Sequence, residues 1–142
     1  MQPRTTIKEL KAHIDKQGSF QKQIFDQTGA KSAEEWHVFC SSDANNAPDW
    51  VEGIKRLLKL TKDLDTSGGR TAAKFLCNIY NGHRVSFNLG ELNNLSMPNW
   101  LDAINILKLN KINFSEIHNY IENGSDIFEN LIERLRNEGY LE

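Results

Sequence analysis

The chain has 142 residues, with 17 lysines and arginines against 19 aspartates and glutamates, a formal charge of -2 and a hydrophobic fraction of 39%. A chain of this size buries about two-thirds of the surface its unfolded form exposes, so one core can hold it without metal or disulfide staples. The near-neutral balance argues against a general nucleic-acid binder and against a polybasic membrane anchor. The opening Met1-Gln2-Pro3-Arg4 has no apolar signal region, and no run approaches the roughly 18 apolar residues of a membrane span. These features predict a cytoplasmic protein without a membrane partner.

Helix signals recur along the chain. Thr6 with Glu9 forms a capping-box pattern, and Ile7, Leu10 and Ile14 share one face up to a predicted stop at Gly18. Ser19 begins a predicted second helix through Phe20, Ile24 and Phe25 to Gly29. Ser32 with Glu35 repeats the capping box before Ala33, Trp36, Phe39 and Cys40, and Ser41 to Ala47 read as a polar loop. Pro48 suits the first turn of a fourth helix, where its missing N–H is no loss, and Trp50, Val51, Ile54, Leu57, Leu58, Thr61 and Leu64 give that helix a broad apolar face.

Thr66-Ser67-Gly68-Gly69 is the next break, followed by a helix burying Ala72, Phe75, Leu76 and Ile79, with Asn81-Gly82 as its left-handed stop. Val85, Phe87 and Leu89 then alternate with polar residues, which predicts one short extended segment near 84–89. Glu91 to Leu95 reads as a helical turn. Ser96 and Pro98 open a longer helix whose apolar positions read as Trp100, Ala103, Ile104 and Leu107. A short helix with Ile117, Tyr120 and Ile121 closes at Asn123-Gly124, and the last helix carries Ile127, Phe128, Leu131, Ile132 and Leu135 before Gly139. The expected fold class is all-α: a single compact multi-helix domain over 1–142 with eight or nine short helices. An N-terminal helical subregion over 1–65 and a C-terminal region over 66–142 are the natural subdivision.

Chemistry-bearing constellations are sparse. His37, Cys40, Cys77 and His83 include the right donors for tetrahedral zinc, but their spacing is unlike the closely spaced ligand pairs of such sites. Both cysteines sit in apolar faces and read as small buried hydrophobes, so no metal or cofactor is expected. Gly68, Gly69 and Arg70 open a helix, where free N–H groups favour anions, which makes them a candidate anion-binding site. The frame differs from the phosphate loop of nucleotide hydrolases, and an ordinary loop with a helix cap explains the same residues. No nucleophile elbow or cysteine-protease motif occurs, and His118 with Glu122, four apart, reads as a solvated helix edge. A helix-turn-helix drawn through Leu107–Asn113 and Ser115–Ile121 lacks cations on its second helix. No catalytic residues are assigned.

Two charged stripes remain. Lys55, Lys59 and Lys62, with Arg56 beside them, form a basic stripe opposite the apolar face of the fourth helix. From Asn113 onward seven acidic residues oppose two arginines, and Asp126, Glu129 and Glu133 recur along one face of the final helix. Solvated faces explain both stripes; the sharper reading is that one of them docks a partner.

The run Gly68-Gly69-Arg70-Thr71-Ala72-Ala73-Lys74-Phe75-Leu76, then Tyr80-Asn81-Gly82-His83-Arg84 and Phe87-Asn88-Leu89, resembles an uncharacterised family of small proteobacterial proteins often carried on plasmids, phages and other mobile elements. The resemblance covers about residues 66–110 and implies a setting but no mechanism.

The sequence therefore predicts a non-catalytic protein that binds another protein through Asp126, Glu129 and Glu133, as an accessory or regulatory factor of a mobile element; one version is an inhibitor of a host defence complex. The alternative is a nucleic-acid binder using Lys55, Arg56, Lys59 and Lys62, and a third reading is a small enzyme with an unfamiliar site. Facing stripes of opposite sign would also suit a homodimer.

Overall fold

The structure, a computed structural model, describes residues 3–28 and 47–141. The chain divides into two compact units, one of residues 5–49 and one of residues 50–142 together with 1–4. The expected helix over 32–40 and the loop over 41–46 lie outside the described residues.

In the first unit, α1 spans Ile7–Thr28. Its start is the predicted capping box: Thr6 Oγ1 accepts from the Glu9 N–H at 3.1 Å, and the Glu9 carboxylate accepts from the Thr6 hydroxyl at 2.9 Å. Leu10 and Ile14 are fully buried. The predicted break at Gly18 is corrected: helix continues through Gly18 and Ser19, so the two expected N-terminal helices are one. A helical glycine costs about 1 kcal/mol relative to alanine, which weakens a helix without ending it when good formers flank it.

The remaining elements are α2 (Ala47–Leu60), α3 (Ser67–Tyr80), a first 3-10 segment (Leu89–Asn94), α4 (Met97–Ile112), a second 3-10 segment (Ile117–Tyr120) and α5 (Gly124–Asn137). The described residues thus hold five α-helices and two 3-10 segments in place of the expected eight or nine short helices, and they contain no strand. The all-α class stands. In the second unit α3 is the central element, packed against α5 and both 3-10 segments. Ala72, Ala73, Phe75, Leu76 and Cys77 are all buried, as expected of a central helix with neighbours on more than one side.

Residues 85–88 carry no helix and form no strand. Val85 is buried and Phe87 meets Phe75 edge-on at 5.7 Å, while Asn78 Nδ2 donates to the Val85 carbonyl at 2.8 Å, so α3 side chains hold this segment in place of a sheet partner. The left-handed stop expected at Asn81-Gly82 is also corrected. Asn81 is extended, with φ -155° and ψ 92°, and among the described residues the left-handed non-glycine positions are Asn113 and Asn123, both at φ 55°.

The apolar register of α4 differs from expectation. The buried positions are Asp102, Ala103, Ile106, Leu109 and Ile112, whereas Trp100, Ile104 and Leu107 are half-buried and Met97 is 67% exposed. The helix is apolar on two sides, so hydrophobic spacing alone does not select the inward one.

The connector from α2 to α3 is held by several caps. Thr66 Oγ1 donates to the Asp63 carbonyl and accepts from the Gly69 N–H, each at 3.0 Å. Arg134 of α5 donates to the Thr61 and Lys62 carbonyls at 3.0 and 3.3 Å, which satisfies carbonyls left unpaired where α2 ends.

Candidate interaction surface

The last helix sorts its residues by face. Phe128, Leu131, Ile132 and Leu135 are buried, at offsets of three, four and seven, and Asp126, Glu129 and Glu133 lie on the exposed side. The three carboxylates line one open cleft of about 460 Å³, joined by Arg84, Asn130, Arg136 and Asn137. The fold therefore brings the predicted acidic stripe together and sets two arginines at its edge.

The three acids are not equivalent. Glu129 Oε2 accepts from Arg84 Nη1 at 2.6 Å and from the Tyr80 hydroxyl at 2.8 Å. Arg84 foremost, and then Tyr80, holds the Glu129 carboxyl below its usual range. Burial first, and the neighbouring Glu129 second, raises the Tyr80 phenol. Tyr80 is fixed from the other side by stacking on Phe128 at 5.0 Å and by an edge contact with His118 at 5.2 Å. Asp126 and Glu133, by contrast, have no hydrogen-bond or ion-pair partner among the described residues. The stripe is thus two uncommitted carboxylates, two turns apart, on either side of a fastened one.

The basic stripe is more heavily engaged. Arg56 makes a two-pronged pair with Asp102, Nε to Oδ2 at 2.9 Å and Nη2 to Oδ1 at 2.7 Å, and Lys55 pairs with Glu52 at 3.0 Å. Lys59 and Lys62 are exposed and have no such partner among the described residues.

Gly68, Gly69 and Arg70 serve the fold at the start of α3. A Cβ on Gly69 would overlap the Asp63 carbonyl oxygen, so this position is glycine for close approach of backbone. Arg70 donates to the Leu64 and Asp65 carbonyls at 3.3 and 3.0 Å, and its guanidinium lies 5.0 Å from the centre of the Tyr140 ring. Its donors point at carbonyls of the chain.

Of the four zinc-type donors, His37 and Cys40 lie outside the described residues. Cys77 is buried, and that burial pushes its thiol up to about 12, which keeps it protonated and inert; His83 is exposed. Among the described residues no group of three histidine, cysteine or acidic side chains gathers at one place.

His118 sits in the second 3-10 segment, only 13% exposed, with Nδ1 3.5 Å from Glu116, so it is no solvated helix edge. That segment is also too short to be the second helix of a helix-turn-helix. Sequence reasoning missed Tyr80, Arg84 and Asp102. Asp102 leaves a readable signal, an acid beside Ala103 amid apolar neighbours. Tyr80 and Arg84 leave none, since their partner Glu129 is more than forty residues away.

Residues 51–136 match the model of a family of unknown function, DUF7673. The chain belongs to this family. The DUF7673 match runs from α2 through nearly all of α5, wider than the resemblance over 66–110, and takes in both the Arg56–Asp102 pair and the Tyr80–Arg84–Glu129 cluster. No curated protein and no solved structure matches the chain. Among the described residues no helix is long and apolar enough to cross a membrane.

Proposed function

We propose that this DUF7673 protein is a non-catalytic binding protein that docks a basic surface of another protein on the exposed face of α5. The observation that carries the reading is the pair Asp126 and Glu133, exposed, without partners among the described residues, and lining one cleft with Glu129 between them. Carboxylates not already paired within the chain are free to gain partners on binding, and complementary charge of this kind sets specificity and encounter rate. Two of the four cations on the opposing stripe already have acidic partners, which favours the acidic face over the nucleic-acid reading. Lys59 and Lys62 are what remains to support that alternative.

The same reading places the protein as an accessory or regulatory factor of a mobile element in the cytoplasm, one version being an inhibitor that fills a nucleic-acid channel on a host defence complex. The test is capture of tagged protein from host lysate, comparing the natural chain with Asp126→Lys/Glu133→Lys. Loss of the captured protein with an unchanged melting temperature supports the reading. Unaltered capture refutes it.

A further inference from the structure

We infer that Asn81 is a site of spontaneous covalent modification directed by the fold, in which the Gly82 backbone nitrogen attacks the Asn81 side chain and converts its amide to a carboxylate. The chain has two Asn-Gly pairs, Asn81-Gly82 and Asn123-Gly124. Glycine after asparagine removes the side chain that would hinder this attack, so both pairs are intrinsically competent. The fold treats them in opposite ways.

Gly82 is exposed, and no acceptor among the described residues takes its N–H. Asn81 Oδ1 accepts from the backbone N–H groups of His83 and Arg84, at 3.2 and 3.3 Å. When the Gly82 nitrogen adds to the Asn81 Cγ, negative charge develops on Oδ1, where two amide donors already point; donors placed at a developing oxyanion lower such a barrier. The Gly82 N–H proton passes to a solvent base, the side-chain nitrogen takes a proton from solvent, and the Cγ–Nδ2 bond breaks as ammonia leaves, giving a cyclic imide. Water then opens one of its two carbonyls to an aspartyl or isoaspartyl residue.

The second pair is locked. The Gly124 N–H donates to the Ile121 carbonyl at 3.0 Å, Gly124 is buried, and a Cβ there would overlap the His118 carbonyl oxygen. Attack from Gly124 requires this packing to open first.

The product has a local reach. An isoaspartyl link lengthens the backbone three residues before Arg84 and removes the two contacts to Oδ1, so the Arg84 grip on Glu129 loosens as the protein ages.

The test is to incubate the folded full chain at mildly alkaline pH and physiological temperature, then to quantify acid formation at each asparagine by peptide mass spectrometry. Modification at Asn81 is expected to outpace that at Asn123 by about tenfold or more, the factor that one lost buried hydrogen bond represents. In denaturant the two rates converge. Gly82→Ala, whose Cβ would sit 3.5 Å from the Asn78 carbonyl in ordinary contact, keeps the fold and suppresses the reaction at Asn81. Equal rates at the two sites in the folded chain, a faster Asn123, or a silent Asn81 beside reactive sites in denaturant would each overturn the inference.

Discussion

Arg56 and Asp102 meet face to face across 46 positions of sequence, each nitrogen of the fork on its own carboxylate oxygen. The Asp102 side chain is only 8% exposed and that of Arg56 43% exposed, so the acid depends on the arginine more than the reverse. A buried carboxylate without its partner is penalised, while the exposure of Arg56 tempers the loss. Asp102→Asn and Arg56→Met are each expected to lower unfolding free energy by about 1–3 kcal/mol in urea titrations. A double variant should lose less than the sum.

Gly69 and Gly82 give a paired test of backbone approach. Gly69→Ala drives a methyl into the Asp63 carbonyl and against the Leu60 carbonyl, which should destabilise by about 3 kcal/mol. Gly82→Ala meets only ordinary contacts, and its effect on the same denaturation curve should stay within about 0.5 kcal/mol.

The Glu129 cluster sets an acid-side pH dependence. Its carboxyl is held below the usual 4.5 in the folded state, so the native form binds fewer protons than the unfolded one in that range. The stability it contributes is present above about 4.5 and is lost as pH falls through the lower folded value. Melting temperature followed downward from neutral pH should show a steeper acid decline for the natural chain than for Glu129→Gln. Tyr80→Phe, which removes one of the two donors, should fall between them.

Cys77 should be silent toward thiol reagents. Its burial and its raised value of about 12 leave almost no thiolate in the folded protein at pH 8. In a Cys40→Ser background, a colorimetric thiol reagent should react with Cys77 only as fast as the protein unfolds, and at once in denaturant.

Much of this architecture is readable locally. The Thr6–Glu9 capping box and the inward face of α5 follow from residues a few positions apart, and helix caps and apolar stripes are local devices. The grouping of Asp126, Glu129 and Glu133 follows from the same periodicity. What is not local is not readable. The fastening of Glu129 depends on Tyr80 and Arg84, and the inward side of α4 includes an acid, Asp102, whose partner Arg56 lies 46 positions away on α2. Gly18 misleads for the converse reason: a weak helix former reads as a stop when its neighbours hold the helix together.

The central claim is that Asp126 and Glu133 carry a protein interface. The most direct measurement is nuclease-treated capture from host lysate with the natural chain, with Asp126→Lys/Glu133→Lys and with Lys59→Glu/Lys62→Glu, quantified by mass spectrometry. The account predicts a protein retained by the natural chain and by the lysine-stripe variant, released by added salt, and absent from the α5 variant. A protein retained equally by all three, or recovery that disappears with nuclease and with the lysine-stripe variant, would contradict it.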